Sequence, residues 1–146
     1  MSTEWFYKDK IINDEDIPLN SIGFLYRITH IDSGRWYLGK KLLTAASTKT
    51  VSGKKKKIRV DSKWRNYWSS SPELLAHVAE VGKDKFKREI LLFVETKSQL
   101  LYAEEMLLYK THAILESNCY NSNIRSKVYR KWFAKCPEFL DKIKSI

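Results

Sequence analysis

At 146 residues, 43% hydrophobic and 30% charged, the chain has the size and composition of one folded domain with its own core, which excludes a disordered or fibrous protein. Lysine and arginine outnumber aspartate and glutamate 27 to 17, for a net charge of +10. That balance points to a polyanionic partner, nucleic acid ahead of an acidic membrane surface, since no strongly amphipathic basic helix argues for the membrane. No apolar run approaches the ~20 residues of a bilayer span, and the opening MSTEWFYKDK has no signal-peptide core. The expected location is the cytoplasm, of a bacterium or a phage-infected host. Cys119 and Cys136 are therefore expected as free thiols, and the scattered histidines and cysteines form no zinc-ligand cluster.

From the N-terminus, Met1 to Leu19 is polar and mixed, with Trp5, Phe6 and Tyr7 as an aromatic anchor on the body. Gly23 to Gly39, GFLYRITHIDSGRWYLG, reads as a hairpin. Phe24, Tyr26, Ile28 and His30 alternate with Leu25, Arg27, Thr29 and Ile31, Asp32-Ser33-Gly34 is turn chemistry, and Arg35 to Lys41 is extended again. A two-residue loop at Ser33-Gly34 puts Tyr26, Tyr37 and Lys41 on one face. A three-residue loop through Asp32 sets Lys40 opposite Tyr26 instead.

Leu42 to Val60 is polar, rich in small residues and strongly basic, and reads as a loop with a turn at Ser52-Gly53. Its Lys54, Lys55, Lys56 and Lys57 repel one another unless solvent or phosphates screen them, so the run is either solvated or an arm on nucleic acid. Asp61 to Ser70 interleaves Lys63 and Arg65 with Trp64, Tyr67 and Trp68, a mixture suited to backbone contacts and stacking. Ser71-Pro72-Glu73 then opens a helix that Gly82 ends, with Leu74, Leu75, Val78 and Val81 as its buried stripe and His77 packing at the stripe's edge. Phe86 to Glu95 is a third strand, central by its ILLFV run.

Ser98 to Ser117 has the pattern of the longest helix, with a stripe through Leu100/Leu101, Leu107/Leu108 and Ile114/Leu115. Glu104 falls on that stripe, where a carboxylate is costly unless a cation, a metal ion or hydrogen bonds satisfy it. Glu105 is turned away by about 100° and reads as solvated surface. Asn118 to Ile124 is turn-rich, and two shorter helices, Lys127 to Ala134 and Pro137 to Ile143, are expected to close the core with Trp132, Phe133, Phe139, Leu140 and Ile143.

In combination these blocks resemble the GIY-YIG nuclease family, and its phage-borne endonucleases in particular. The two name-giving tripeptides correspond to FLY at Phe24 to Tyr26 and YLG at Tyr37 to Gly39. YWSSSPELLAHVAEVGKDKFKREILLF, Tyr67 to Phe93, and YAEEMLLYKTHAILESNCYN, Tyr102 to Asn121, are similar to the later blocks. The likeness spans roughly residues 23 to 124. It departs in having Phe24 rather than glycine in the first tripeptide and a longer interval between Glu104 and Asn121.

The resemblance implies a single small α+β domain over residues 1–146, a three-stranded antiparallel sheet flanked by helices, with its core at about 22–124 and the C-terminal helices of 127–146 packed on it. It implies an endodeoxyribonuclease acting on double-stranded DNA, with a homodimer serving paired cuts. The implied catalytic set is Tyr26, Tyr37, Lys40, Arg65 (chosen over Arg59), Glu104 and Asn121, with Mg²⁺ or Mn²⁺ on Glu104. Lys41, Lys54, Lys55, Lys56, Lys57, Arg59, Lys63 and Tyr67 would bind the nucleic acid. Tyr26 or Tyr37 would take the proton of the attacking water, which at neutral pH requires its phenol to fall about three units, on the order of 4 kcal/mol. Lys40 or Lys41 and the metal ion would supply that fall. The alternative is a non-catalytic nucleic-acid-binding module on the same fold, and a factor that binds an acidic protein is a third reading.

Overall fold

The computed structural model describes residues 3–125, 128–134, 137, 138 and 141. The strands are Trp5–Tyr7 (β1), Lys10–Ile11 (β2), Gly23–His30 (β3), Trp36–Leu42 (β4), Thr44–Val51 (β5) and Lys54–Asp61 (β6). Helix Pro72–Val81 (α1), strand Phe86–Val94 (β7), helix Lys97–Lys110 (α2) and the short strands Asn123–Ile124 (β8) and Val128–Tyr129 (β9) follow. The class is α+β, but the main sheet has five strands in the order β2-β1-β7-β3-β4 rather than three. The aromatic anchor is itself a strand: β1 runs parallel to β7, with Trp5 opposite Arg88, and turns back through Lys8 and Asp9, both at positive φ, into β2. β7 is thereby central, as its apolar run predicts.

Strand alternation distributes the core over two faces. Phe24, Tyr26 and Ile28 of β3, with Phe86 and Ile90 of β7 and Trp5, face Trp64, Trp68, Leu74, Val78 and Tyr120. The opposite face of β4 presents Trp36 and Leu38 to Leu108, Ala113, Ile114, Cys119 and Ile124. Segment 64–81 therefore covers one face and α2 with its trailing loop covers the other. Each fully buried large side chain of this kind contributes about 1.5–3 kcal/mol. Arg88 ties the layers together from a 4% exposed position. Its guanidinium lies between the Trp5 and Trp68 rings and donates to the carbonyls of Thr3, Arg65 and Tyr67. Burial lowers its pKa to about 10.

Several expectations are revised. The β3–β4 loop has four residues, Ile31 to Gly34, because the His30 N–H bonds the Arg35 carbonyl at 2.7 Å. This leaves Tyr26, Tyr37 and Lys41 on one face, as the two-residue loop would, but pairs Tyr26 with Gly39. The basic loop is a regular hairpin, β5–β6, paired from Thr44↔Asp61 to Val51↔Lys54. Its two-residue turn, Ser52-Gly53, has both φ values positive (51° and 75°), as a type I′ turn requires. Helix α1 has the expected Ser71 cap, whose Oγ accepts from the Leu74 N–H at 3.3 Å, but only Leu74 and Val78 are buried, while Leu75 and Val81 are exposed. A bulge opposite Leu25/Tyr26 leaves Leu91 and Leu92 exposed, so β7 is fully covered on one face only.

Helix α2 stops at Lys110, not Ser117: the Thr111 hydroxyl bonds back to the Leu107 carbonyl and His112 adopts φ 55°. Residues predicted as the helix Lys127–Ala134 form β9 and a 3-10 turn, Arg130–Phe133. There the Arg130 guanidinium donates to the carbonyls of Ala113, Glu116, Cys119 and Asn121. Most of the expected helix Pro137–Ile143, Cys136 and the side chains of Trp132, Phe133, Phe139, Leu140 and Ile143 lie outside the described residues. The Cys119 thiol is free, and burial pushes its pKa up to about 11. Among the described residues no helix is long and apolar enough to cross a membrane.

Strand β4 is an outer strand of the sheet, and residues 118–121 close its free edge. The Trp36 N–H bonds the Asn118 carbonyl, the Tyr120 N–H bonds the Trp36 carbonyl, and the Asn121 side chain exchanges two 2.9 Å hydrogen bonds with the Leu38 backbone. Asn121→Ala would leave that buried N–H and C=O unpaired, at a cost of about 2–3 kcal/mol. The expected drop in Tm is ~5–10 °C, with Asn121→Asp intermediate; an unchanged Tm would show that the bracket is dispensable.

Candidate functional site

The register Tyr26↔Gly39 and Ile28↔Tyr37 sets two phenols beside each other on the face covered by segment 64–81. Their ring centroids are 6.1 Å apart. Tyr67, held to β7 through Arg88, meets Tyr26 edge-on at 5.9 Å and hydrogen-bonds its phenol. Gly39 makes room for this packing: a Cβ there would stand 2.5 Å from the Tyr26 hydroxyl and 2.9 Å from the Tyr37 ring. Tyr26 is 1% exposed, whereas Tyr37 is half-buried. Lys41, on the same face, places its Nζ 4.2 Å from the Tyr67 ring centre.

Helix α2 sets Glu104 beside Lys40, which β4 directs to the face opposite Tyr37. The Glu104 side chain is 18% exposed and its carboxylate lies 3.4 Å from the Lys40 Nζ. Burial holds the Glu104 carboxyl above the usual carboxylate range; Lys40 opposes that rise without cancelling it, and Glu105 adds to it. Burial also raises both phenols, Tyr26 well above its ordinary value, and the Glu104 charge contributes to each rise, so the acid is within electrostatic reach of both. On Tyr37 alone, hydrogen bonds from Ser70 and Ser69 work in the opposite direction. The site therefore holds a carboxylate short of positive charge and a half-buried phenol whose anion the two serines favour without overcoming burial, so the fall expected of a tyrosine base is not met by these residues alone.

The sequence-predicted residues divide. Tyr26, Tyr37, Tyr67 and Lys41 share one face of the sheet, while Lys40, opposite Leu25, alternates to the other face and pairs with Glu104, whose charge still reaches both phenols. The Asn121 side chain is bonded to the Leu38 backbone, next to Tyr37 and Gly39, at the outer edge of β4. Arg65 is held by Asp14 and Asp61, with its guanidinium 4.4 Å over the Trp64 ring, and is not among the charges that move Glu104. Arg59 is bound to the hydroxyl and carbonyl of Thr44 at the base of the hairpin. Lys63 is exposed at φ 60°, its N–H bonded to Asp61, and Lys54 to Lys57 lie along β6. Glu105 is not simply solvated: it pairs with Arg125 at 3.1 Å. His77 packs as expected, with its Nδ1 2.6 Å from the Tyr120 hydroxyl and its ring against His30 and Phe86.

Ser69 and Ser70 were missed by sequence reasoning as partners of Tyr37. Their signal was the Ser69-Ser70-Ser71 run just after the aromatic pair Tyr67-Trp68. Ser69 has φ 108°, a strained value for a non-glycine residue, and its Oγ accepts the Ser71 N–H at 2.8 Å.

A divalent ion fits the donor set only in one way. No cluster of three or more His, Cys, Asp or Glu side chains occurs among the described residues, so Glu104 would hold the ion alone. Hard cations with one carboxylate ligand keep water in their remaining positions. A carboxylate that its lysine neutralises incompletely is suited to that role.

Comparison with known families matches residues 5–124 to the family model described as "Putative endonuclease segE, GIY-YIG domain". No curated protein and no solved structure matches the chain.

Because the folded protein binds the Glu104 proton more tightly than the unfolded chain does, ionisation at this position costs stability as pH rises above the ordinary carboxylate range. Glu104→Gln removes that cost. It is expected to raise Tm at pH 7, with the difference from the native protein vanishing as pH falls below the carboxylate range. A lower Tm at pH 7 would mean that Lys40 fully compensates the acid.

Proposed function

The chain belongs to the GIY-YIG endonuclease family, and from that premise we propose that it hydrolyses phosphodiester bonds of duplex DNA at the Glu104–Tyr37 site. The observation that carries this reading is the inward Glu104 carboxylate, undercompensated by Lys40 and electrostatically coupled to the phenol pair. Glu104 would hold Mg²⁺ or Mn²⁺, which when bound polarises the phosphate and neutralises charge on the departing oxygen.

The chain's own residues supply the rest. Tyr37, the more accessible phenol, would act as its phenolate, formed only where a cation on Glu104 and the neighbouring lysines offset burial; it would then take the proton of the attacking water as the water oxygen bonds to phosphorus and the P–O bond to the departing oxygen breaks. Ser70 and Ser69 favour its anion against burial. Tyr26 and Tyr67 wall the phenol from behind and fix its ring. Lys40, whose pairing with Glu104 would loosen were that carboxylate to hold a cation, and Lys41 beside Tyr67 would supply positive charge toward the phosphate. On this reading Lys40 and Lys41 would share the charge-stabilising role that the family resemblance gives to Arg65, which is paired with Asp14 and Asp61.

The Lys40–Glu104 ion pair is also what favours the rival, a binding module whose acid is merely neutralised. Supercoiled plasmid incubated with Mg²⁺ or with EDTA separates the two: cleavage with Mg²⁺ alone supports the nuclease, and binding without cleavage supports the rival. Glu104→Ala is expected to abolish cleavage while leaving DNA affinity nearly unchanged, and Glu105→Ala to do little. Tyr37→Phe should lower kcat by about 10²–10⁴-fold. A comparable loss confined to Tyr26→Phe would move the base to the inner phenol.

A further inference from the structure

The hairpin β5–β6 has features that the active site does not use. Its strands pair with each other and not with the five-stranded sheet, and none of its residues joins either core cluster. Every residue from Thr44 to Asp61 is exposed except Ser47 and Ile58, which are intermediate. Lys49 and Lys56 stand directly opposite each other, flanked by Lys54, Lys55 and Lys57. Isolated two-stranded hairpins are marginal in water, and like charges across a strand pair weaken them further. A ribbon with this composition has its complement in a polyanion.

The register gives the ribbon two unlike faces. One carries Ala45, Val51, Ile58 and Val60 with Lys49, Lys54 and Lys56. The other carries Thr44, Ala46, Thr48 and Thr50, with Thr48 opposite Lys57 and Thr50 opposite Lys55. That second face offers hydroxyls that donate and accept, methyl groups, and lysine donors, which are the groups that read base edges. A two-stranded ribbon fits the ~12 Å major groove, and eight residues per strand give a reach of about 25 Å.

We propose that β5–β6 enters the major groove of duplex DNA with the Thr48/Thr50/Lys55/Lys57 face against the bases, while Lys49, Lys54 and Lys56 reach back to the flanking phosphates. The inference rests on the nuclease reading for its substrate and adds to it a base-reading element separate from the cleavage site.

Dimethyl sulfate probing of a plasmid restriction fragment, in EDTA so that no cleavage occurs, tests it by reporting guanine N7 in the major groove. Bound protein is expected to protect N7 within its footprint. Thr48→Ala/Thr50→Ala/Lys55→Ala/Lys57→Ala should remove that protection and flatten the sequence preference of cut ends, with Tm unchanged because the ribbon lies outside the core. Lys49→Ala/Lys54→Ala/Lys56→Ala should retain N7 protection and reduce the slope of log affinity against log salt by about 0.9 per lost phosphate contact. N7 left reactive under a bound protein that still cleaves with Mg²⁺ would overturn the ribbon and spare the nuclease. N7 protection without cleavage would do the reverse, and no binding to duplex would overturn both.

Discussion

The close approach of Tyr26 to Gly39 is the constraint on which the site depends. The two residues face each other across β3 and β4, and the phenol occupies the space that a side chain at position 39 would need. The ring can lie over the glycine because β4 stays flat against β3, and β4 stays there because its other edge is closed. The Asn121 side chain provides part of that closure in the manner of a backbone unit, and the loop containing it is fixed in turn by the Arg130 guanidinium. A chain of hydrogen bonds from the C-terminal segment therefore decides where two phenols at the sheet surface can stand. The structural part that Asn121 plays is to close the free edge of β4.

The electrostatics of the site work against the stability of the fold. Burial raises Glu104 and both phenols together, and their charges, once formed, repel one another. A protein selected only to be stable would place a neutral side chain at position 104. What resolves the conflict is added positive charge at the shared edge, and Lys40 provides some of it at 3.4 Å. The deficit that remains is a local destabilisation of the kind that catalytic sites retain.

The faces of the fold were legible in the sequence, whereas its connections were not. Alternation over residues 23–31 identified the aromatic face of β3, and the apolar stripe of α2 exposed Glu104 as an anomaly, because both signals depend only on local period. Loop length cannot be read that way, since Ile31 is apolar enough to pass for strand and yet lies in the turn. The three-residue β1 is too short for any period to register, and its parallel partner lies more than eighty positions away. Lysines and threonines of mixed propensity hid β5–β6, which repeats no core pattern because it packs on no core. Spacing from the second tripeptide could not decide between Arg65 and Arg59 for a related reason: it counts residues that the hairpin carries out and back.

That excursion also joins binding to chemistry. β4 runs directly into β5 through Leu43, whose N–H bonds the Ile22 carbonyl and whose own carbonyl accepts from Ser62 as the chain returns. The Ser62 hydroxyl bonds the Leu42 carbonyl as well, so the base of the ribbon is clamped to the end of the strand that carries Tyr37, Lys40 and Lys41. On its return the chain passes at once into Trp64 to Ser70, which supplies Tyr67 and the two serines on Tyr37. A duplex gripped by the ribbon would consequently lie at a fixed distance from the phenols, set by covalent connection and three hydrogen bonds rather than by a flexible linker. On this reading one continuous stretch, from Tyr37 to Ser70, would carry the ribbon at its middle and the phenols at its two ends, with Glu104 added from α2.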